Sequence, residues 1–130
     1  QTADNPVYYI QYAHARICSI LRQAEEKSIE LPKPEDVDAA LLASDHEEEL
    51  LKCLAAFPGE VENAALRREP HRIAHYAQEL ASLFHSFYTH CRVIGEEEEL
   101  QAARLTLVRA VQIVLANALE LLGVSAPQIM

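Results

Sequence analysis

Three long stretches of this chain carry apolar residues at the three-to-four-residue spacing of an α-helix, and only three glycines interrupt its 130 residues. A strand buries every second residue, whereas a helix buries one face at a period of 3.6, so this spacing selects helices. Leu and Ala dominate, and alternating runs of Val, Thr and Tyr are scarce. The expected fold class is all-α, a helical bundle of about five to six helices. The length suits one domain over residues 1–130, and a 50% hydrophobic content is enough for a true core.

The spacing predicts six helices. Asp4-Asn5 followed by Pro6 is a helix start, a capping side chain and then proline in the first turn. The first helix is expected from Pro6 to about Lys27, with Ile10, Ala13, Ile17, Ile20, Leu21 and Ala24 on its core face. Pro32 and Pro34 break the chain, and a short helix follows from Glu35 to Leu42. Ser44-Asp45-His46-Glu47 has capping-box spacing and opens a helix ending near Phe57. Pro58-Gly59 is read as punctuation before a short helix from Glu60 to Glu69. A long helix is expected from Pro70 to Val93, with Ile73, Tyr76, Ala77, Leu80, Leu83, Phe84, Phe87, Tyr88 and Cys91 on one arc. His71, His75, Gln78, Ser82, His85 and Thr89 take its outer face. The last helix, Glu98 to Leu122, is apolar around most of its circumference and stops at Gly123. Its apolar run is broken by Arg109, Gln112, Asn117 and Glu120, which makes it a central bundle helix; no signal peptide or transmembrane span is expected.

The formal charge is −9. That is the wrong sign for a nonspecific nucleic-acid binder, which needs Lys and Arg to displace counterions. The distribution qualifies this. Residues 28–66 hold ten carboxylates against Lys33 and Lys52, so nearly all the net charge sits there. The rest of the chain is close to neutral and carries most of the arginines. An anionic partner would dock on that part and be oriented by repulsion from the acidic part. The acidic segment itself reads as a solvated outer face. Three cysteines without CxxC spacing suit a reducing cytosol, and the expected location is cytoplasmic.

No catalytic set emerges from the spacing, and no glycine-rich phosphate loop is present. His71 and His75 lie four apart, but no further ligand at useful spacing joins them and no metal site is expected. Tyr8, Tyr12, Arg16, Ser19 and Gln23 fall opposite the core face of the first helix, with Tyr9 on the edge between. Unpaired RNA bases stack on aromatic rings, each contributing roughly 1–3 kcal/mol, and stacking needs no bulk positive charge. Arg16 would add a phosphate contact or a stacking plane. The alternative is that these tyrosines pack under a neighbouring helix with only their hydroxyls showing.

The stretches NPVYYIQYAHARICSIL, EPHRIAHYAQELASLFHSFYTHCRVI and AARLTLVRAVQIVLANALELLGVSAPQIM strongly resemble the C-terminal part of bacterial-type arginyl-tRNA synthetases. The likeness covers almost the whole chain in the family's order and is weakest in the acidic middle. The Asp-Ala-Leu-Arg motif that names this DALR anticodon-binding class is not spelled out; ARLTLVRA, Ala103 to Ala110, stands in its place. The resemblance implies a helical bundle that binds the anticodon stem and loop of arginine tRNA, not DNA and not a membrane. It implies tRNA-binding roles for Tyr9, Tyr12 and Met130, then Gln11 and Arg16, then Tyr88. It also implies that the chain is an excised part of a larger ligase whose catalytic domain uses ATP and Mg. The HIGH and KMSKS-type signatures of that catalytic domain do not occur here, so this part alone is expected to have no catalytic site and no cofactor. A second reading of the residues is a helical protein-interaction module that holds a basic partner on its acidic surface. A third is a metal-bound bundle.

Overall fold

Asn5 begins the first helix: its side-chain oxygen accepts from the amides of Val7 and Tyr8, and Pro6 occupies the first turn. The computed structural model describes residues 5–130, so Asp4, the other expected capping residue, lies outside it. Five α-helices follow in order: α1 (Pro6–Glu26), α2 (Asp45–Ala55), α3 (Phe57–Arg67), α4 (His71–His90) and α5 (Glu98–Leu121). No strand occurs among the described residues.

The long helix α4 touches all four of the others, and α1 and α5 also pack on each other. Ile10, Ile17, Leu80, Phe84, Phe87, Leu105, Leu115 and Leu119 are sealed in the core they share. All six residues expected on the core face of α1 are covered, five fully and Leu21 in part. By length and apolar composition α5 would suffice to span a membrane. Here eight of its residues are buried against the bundle, as in the strut of a helical core. Gly123 turns the chain out of α5 with φ of +76°, a conformation that favours glycine, and the tail Val124 to Met130 then runs back over α1.

The short elements differ from expectation. Residues 35–42 form two single 3₁₀ turns, Pro34–Asp36 and Ala39–Leu41, rather than one helix. Val37 between them is extended, and Asp38 caps the amide of Ala40, so the local hydrogen bonds close separately. Helix α3 starts at Phe57, three residues early, with Pro58 in its first turn. Proline is tolerated there because its missing amide hydrogen would have had no partner. Helix α4 ends at His90, where Cys91 becomes extended, yet Cys91 and Val93 stay buried.

The Ser44–Glu47 capping box forms in both directions. Glu47 is nevertheless not part of a solvated acidic face. Its carboxylate is buried against Arg104 Nε at 2.8 Å, and Arg104 Nη1 also donates to the carbonyl of Arg92. Arg104 lies inside the ARLTLVRA stretch, and its contacts tie α5 to α2 and to the end of α4. Burial pushes the Glu47 carboxyl up, but hydrogen bonds from Arg104 and Ser44 outweigh it and hold it below the usual carboxylate range.

Candidate nucleic-acid interface

Helix α1 divides into three faces. Ile10, Ala13, Ile17, Ile20 and Ala24 meet the core. Gln11, His14, Cys18 and Arg22, at spacings of three and four, meet the C-terminal tail or its groove. Gln11 Nε2 donates to Ser125 O at 2.9 Å, His14 Nδ1 to Pro127 O at 2.8 Å and Arg22 Nη1 to Gln128 O at 3.2 Å. A carbonyl only accepts, so the proton of His14 sits on Nδ1. The tail therefore lies along α1 in the same direction, and His14, which bonds to it, is buried.

The third face carries the aromatic groups. Tyr12 is 44% exposed, and Arg16 is also open to solvent. Tyr8 and Tyr9 are half-buried, with Tyr9 packed against the core. Across from them α4 presents His85 and Tyr88. The His85 ring stacks with Tyr12 at 5.9 Å between centroids and 29° between planes, and tilts against Tyr9 at 5.5 Å. Arg16 Cζ lies 5.1 Å from the centroid of Tyr88, and Arg16 Nη1 donates to His85 Nδ1 at 3.2 Å. Tyr88 in turn stacks on the buried Phe84 at 5.8 Å. The surface is thus a layer of partly exposed rings and one guanidinium resting on the core. Such a cation–ring contact contributes about 0.5–1 kcal/mol at an exposed site.

Five of the six expected binding residues lie on α1 and α4, but they do not form one set. Tyr9, Tyr12, Arg16 and Tyr88 share the aromatic face. Gln11 points the other way, with its amide nitrogen committed to the tail. Met130 stands 50% exposed at the end of that tail. The helical projection puts His85 among outward-facing polar residues and misses it as the group joining both tyrosines to Arg16. No spacing within α4 signals this role, because the partners lie on α1, with Arg16 sixty-nine residues away in the chain.

Among the described residues none of Arg16, Arg22 and Arg109 is in an ion pair, while Arg72 and Arg104 are held by carboxylates. Their hydrogen bonds go to neutral groups instead, Arg16 to His85, Arg22 to the Gln128 carbonyl and Arg109 to Gln112. No three His, Cys, Asp or Glu side chains among the described residues converge as a metal site, and His71 and His75 line an open groove beside Glu69 and Arg72. The arrangement offers flat apolar faces with a cation beside them and no reacting set. It suits recognition of unpaired bases.

An all-α bundle with such a surface is a binding module, and comparison with known proteins places it. The model of the DALR anticodon binding domain matches residues 10–130, and the chain belongs to that family. It is 57% identical over 128 residues to an arginine–tRNA ligase of Symbiobacterium thermophilum and 55% identical over 128 residues to one of Moorella thermoacetica. Each match covers 98% of this chain and 23% of the ligase. The arginyl-tRNA synthetase of Thermus thermophilus superposes with a TM-score of 0.84 at 34% identity, over 99% of this chain and 22% of that one. The chain thus spans less than a quarter of the length of these relatives.

Proposed function

We propose that this chain is the anticodon-binding domain of an arginine–tRNA ligase and recognises the anticodon stem and loop of arginine tRNA. Aminoacylation with ATP and Mg belongs to a catalytic domain of the same enzyme that this chain does not contain, and the location is cytoplasmic. The observation that carries the reading is the exposed Tyr12 ring with Arg16 beside it, on a helix whose other two faces are occupied by core and tail. Rings of this kind stack on splayed bases, and the Arg16 guanidinium, which no carboxylate neutralises among the described residues, meets phosphate or a further base. The acidic α2 lies elsewhere and repels a wrongly placed backbone.

The test compares binding of arginine tRNA with that of a noncognate tRNA, by fluorescence anisotropy at fixed ionic strength. Preference for arginine tRNA is expected. Equal binding of both, or binding of neither, overturns the reading. With arginine, ATP and tRNA supplied, this chain alone is expected to yield no charged product.

A further inference from the structure

We infer that His85 is a positioning residue for the aromatic face: as a neutral imidazole it accepts the Arg16 hydrogen bond at Nδ1, which holds the guanidinium beside Tyr88 and seats the Tyr12 ring, and protonation undoes the arrangement. The RNA-binding consequence rests on the anticodon-binding reading; the geometry does not. A guanidinium has only donors, so at 3.2 Å from Arg16 Nη1 the His85 Nδ1 must present its lone pair. The proton then sits on Nε2, which is buried and has no hydrogen-bond partner among the described residues. The ring is held instead by its contacts with Tyr9, Tyr12, Phe84 and Arg16.

A second proton would place a donor against a donor and a cation against a cation. The groups that face His85 from α1 are Arg16 and the Tyr9 and Tyr12 phenols. On α4 itself they are Phe84 and, beyond Arg16, Tyr88. No carboxylate of α2, α3 or α5 forms an ion pair with it among the described residues. Burial, and then the Arg16 charge, hold the ring below the ordinary histidine value. Nothing nearby rewards protonation, so Arg16 must move away when it occurs.

The consequence runs against ordinary electrostatics. Acidifying a chain of net charge −9 with six histidines makes it less negative and should strengthen binding to RNA. Loss of the His85 acceptor instead disperses the face that binds. The experiment measures the affinity of the full chain for an arginine-anticodon stem-loop RNA at constant ionic strength, from about pH 7.5 down to about pH 5. His85→Asn is measured beside it, since its side-chain oxygen can accept from Arg16 and does not titrate. We expect wild-type affinity to fall about fivefold or more below roughly pH 6.5, and the variant, which keeps the acceptor but not the stacking ring, to bind more weakly than wild type near neutrality and to lose the fall. Affinity that is flat or rises in acid, or an equal fall in His85→Asn, overturns the proposal.

Nitrogen-15 NMR of the wild-type chain reads the same claim without RNA and without a variant. The expected result is an Nε2-protonated His85 whose titration shifts the Arg16 guanidinium signals. An Nδ1-protonated ring, or Arg16 signals indifferent to that titration, overturns the proposal. Absence of stem-loop binding at every pH defeats the anticodon-binding reading instead, and leaves this NMR result to decide the role of His85.

Discussion

The Glu47 carboxylate on α2 accepts from Arg104 Nε on α5 at 2.8 Å, with only 1% of the Glu47 side chain and 12% of the Arg104 side chain exposed. The same carboxylate caps its own helix through the Ser44 amide. One buried charge therefore joins the start of α2, the second turn of α5 and, through Arg104, the carbonyl of Arg92. Removing one partner of such a pair strands the other without solvent. We expect Arg104→Ala to destabilise the fold by about 3 kcal/mol, measured by urea unfolding. A loss well under about 1 kcal/mol would show that the pair braces nothing.

The pH dependence of that brace has a definite sign. Burial raises the Glu47 pKa, but bonds from Arg104 and Ser44 overcome it and leave the folded value below the unfolded one. The stabilisation is therefore fully present above the ordinary glutamate range and is lost as pH falls through the folded value. Thermal melting between about pH 5 and about pH 3 should show wild type losing stability more steeply than Glu47→Gln. Parallel curves would refute the assignment.

Tyr12 is exposed at 44% and its ring touches the bundle mainly through His85, so truncation should leave the fold intact. Tyr12→Ala is expected to weaken binding of arginine tRNA by about 1–3 kcal/mol, with the circular dichroism and melting of wild type retained. Unchanged affinity would remove the aromatic face as the contact surface.

The tail covers part of α1 that the core does not. Cys18 is 6% exposed, and the face it shares with His14 and Arg22 is bonded to Pro127 and Gln128. Deleting residues 125–130 should open that face. We expect the reaction of Cys18 with a thiol reagent to rise on the order of tenfold, since thiol reactivity follows access. Cys53 and Cys91, buried at other places in the bundle, serve as internal controls and should not change. Equal Cys18 reactivity in both proteins would mean that the tail does not close over α1.

Much of this fold is legible in the chain because helix formation is local. The core faces of α1 and α4, the Ser44–Glu47 cap and the Gly123 stop each depend on residues within a turn or two of one another, and spacing displays them directly. The exposed side of Tyr12 and Arg16 follows from the same projection. Spacing misjudges residues 35–42, where Asp38 caps a separate turn, and the start of α3, where Pro58 sits inside the first turn instead of before it. Sequence alone could not show that Gln11 serves the tail, that His14 and Cys18 are covered, that His85 joins Tyr12 to Arg16, or that Glu47 is paired. Each of these contacts joins residues tens of positions apart, from Glu47 and Arg104 to Gln11 and Ser125. Periodicity decides which side of a helix is apolar; which distant group meets its polar sides is settled only when the helices pack.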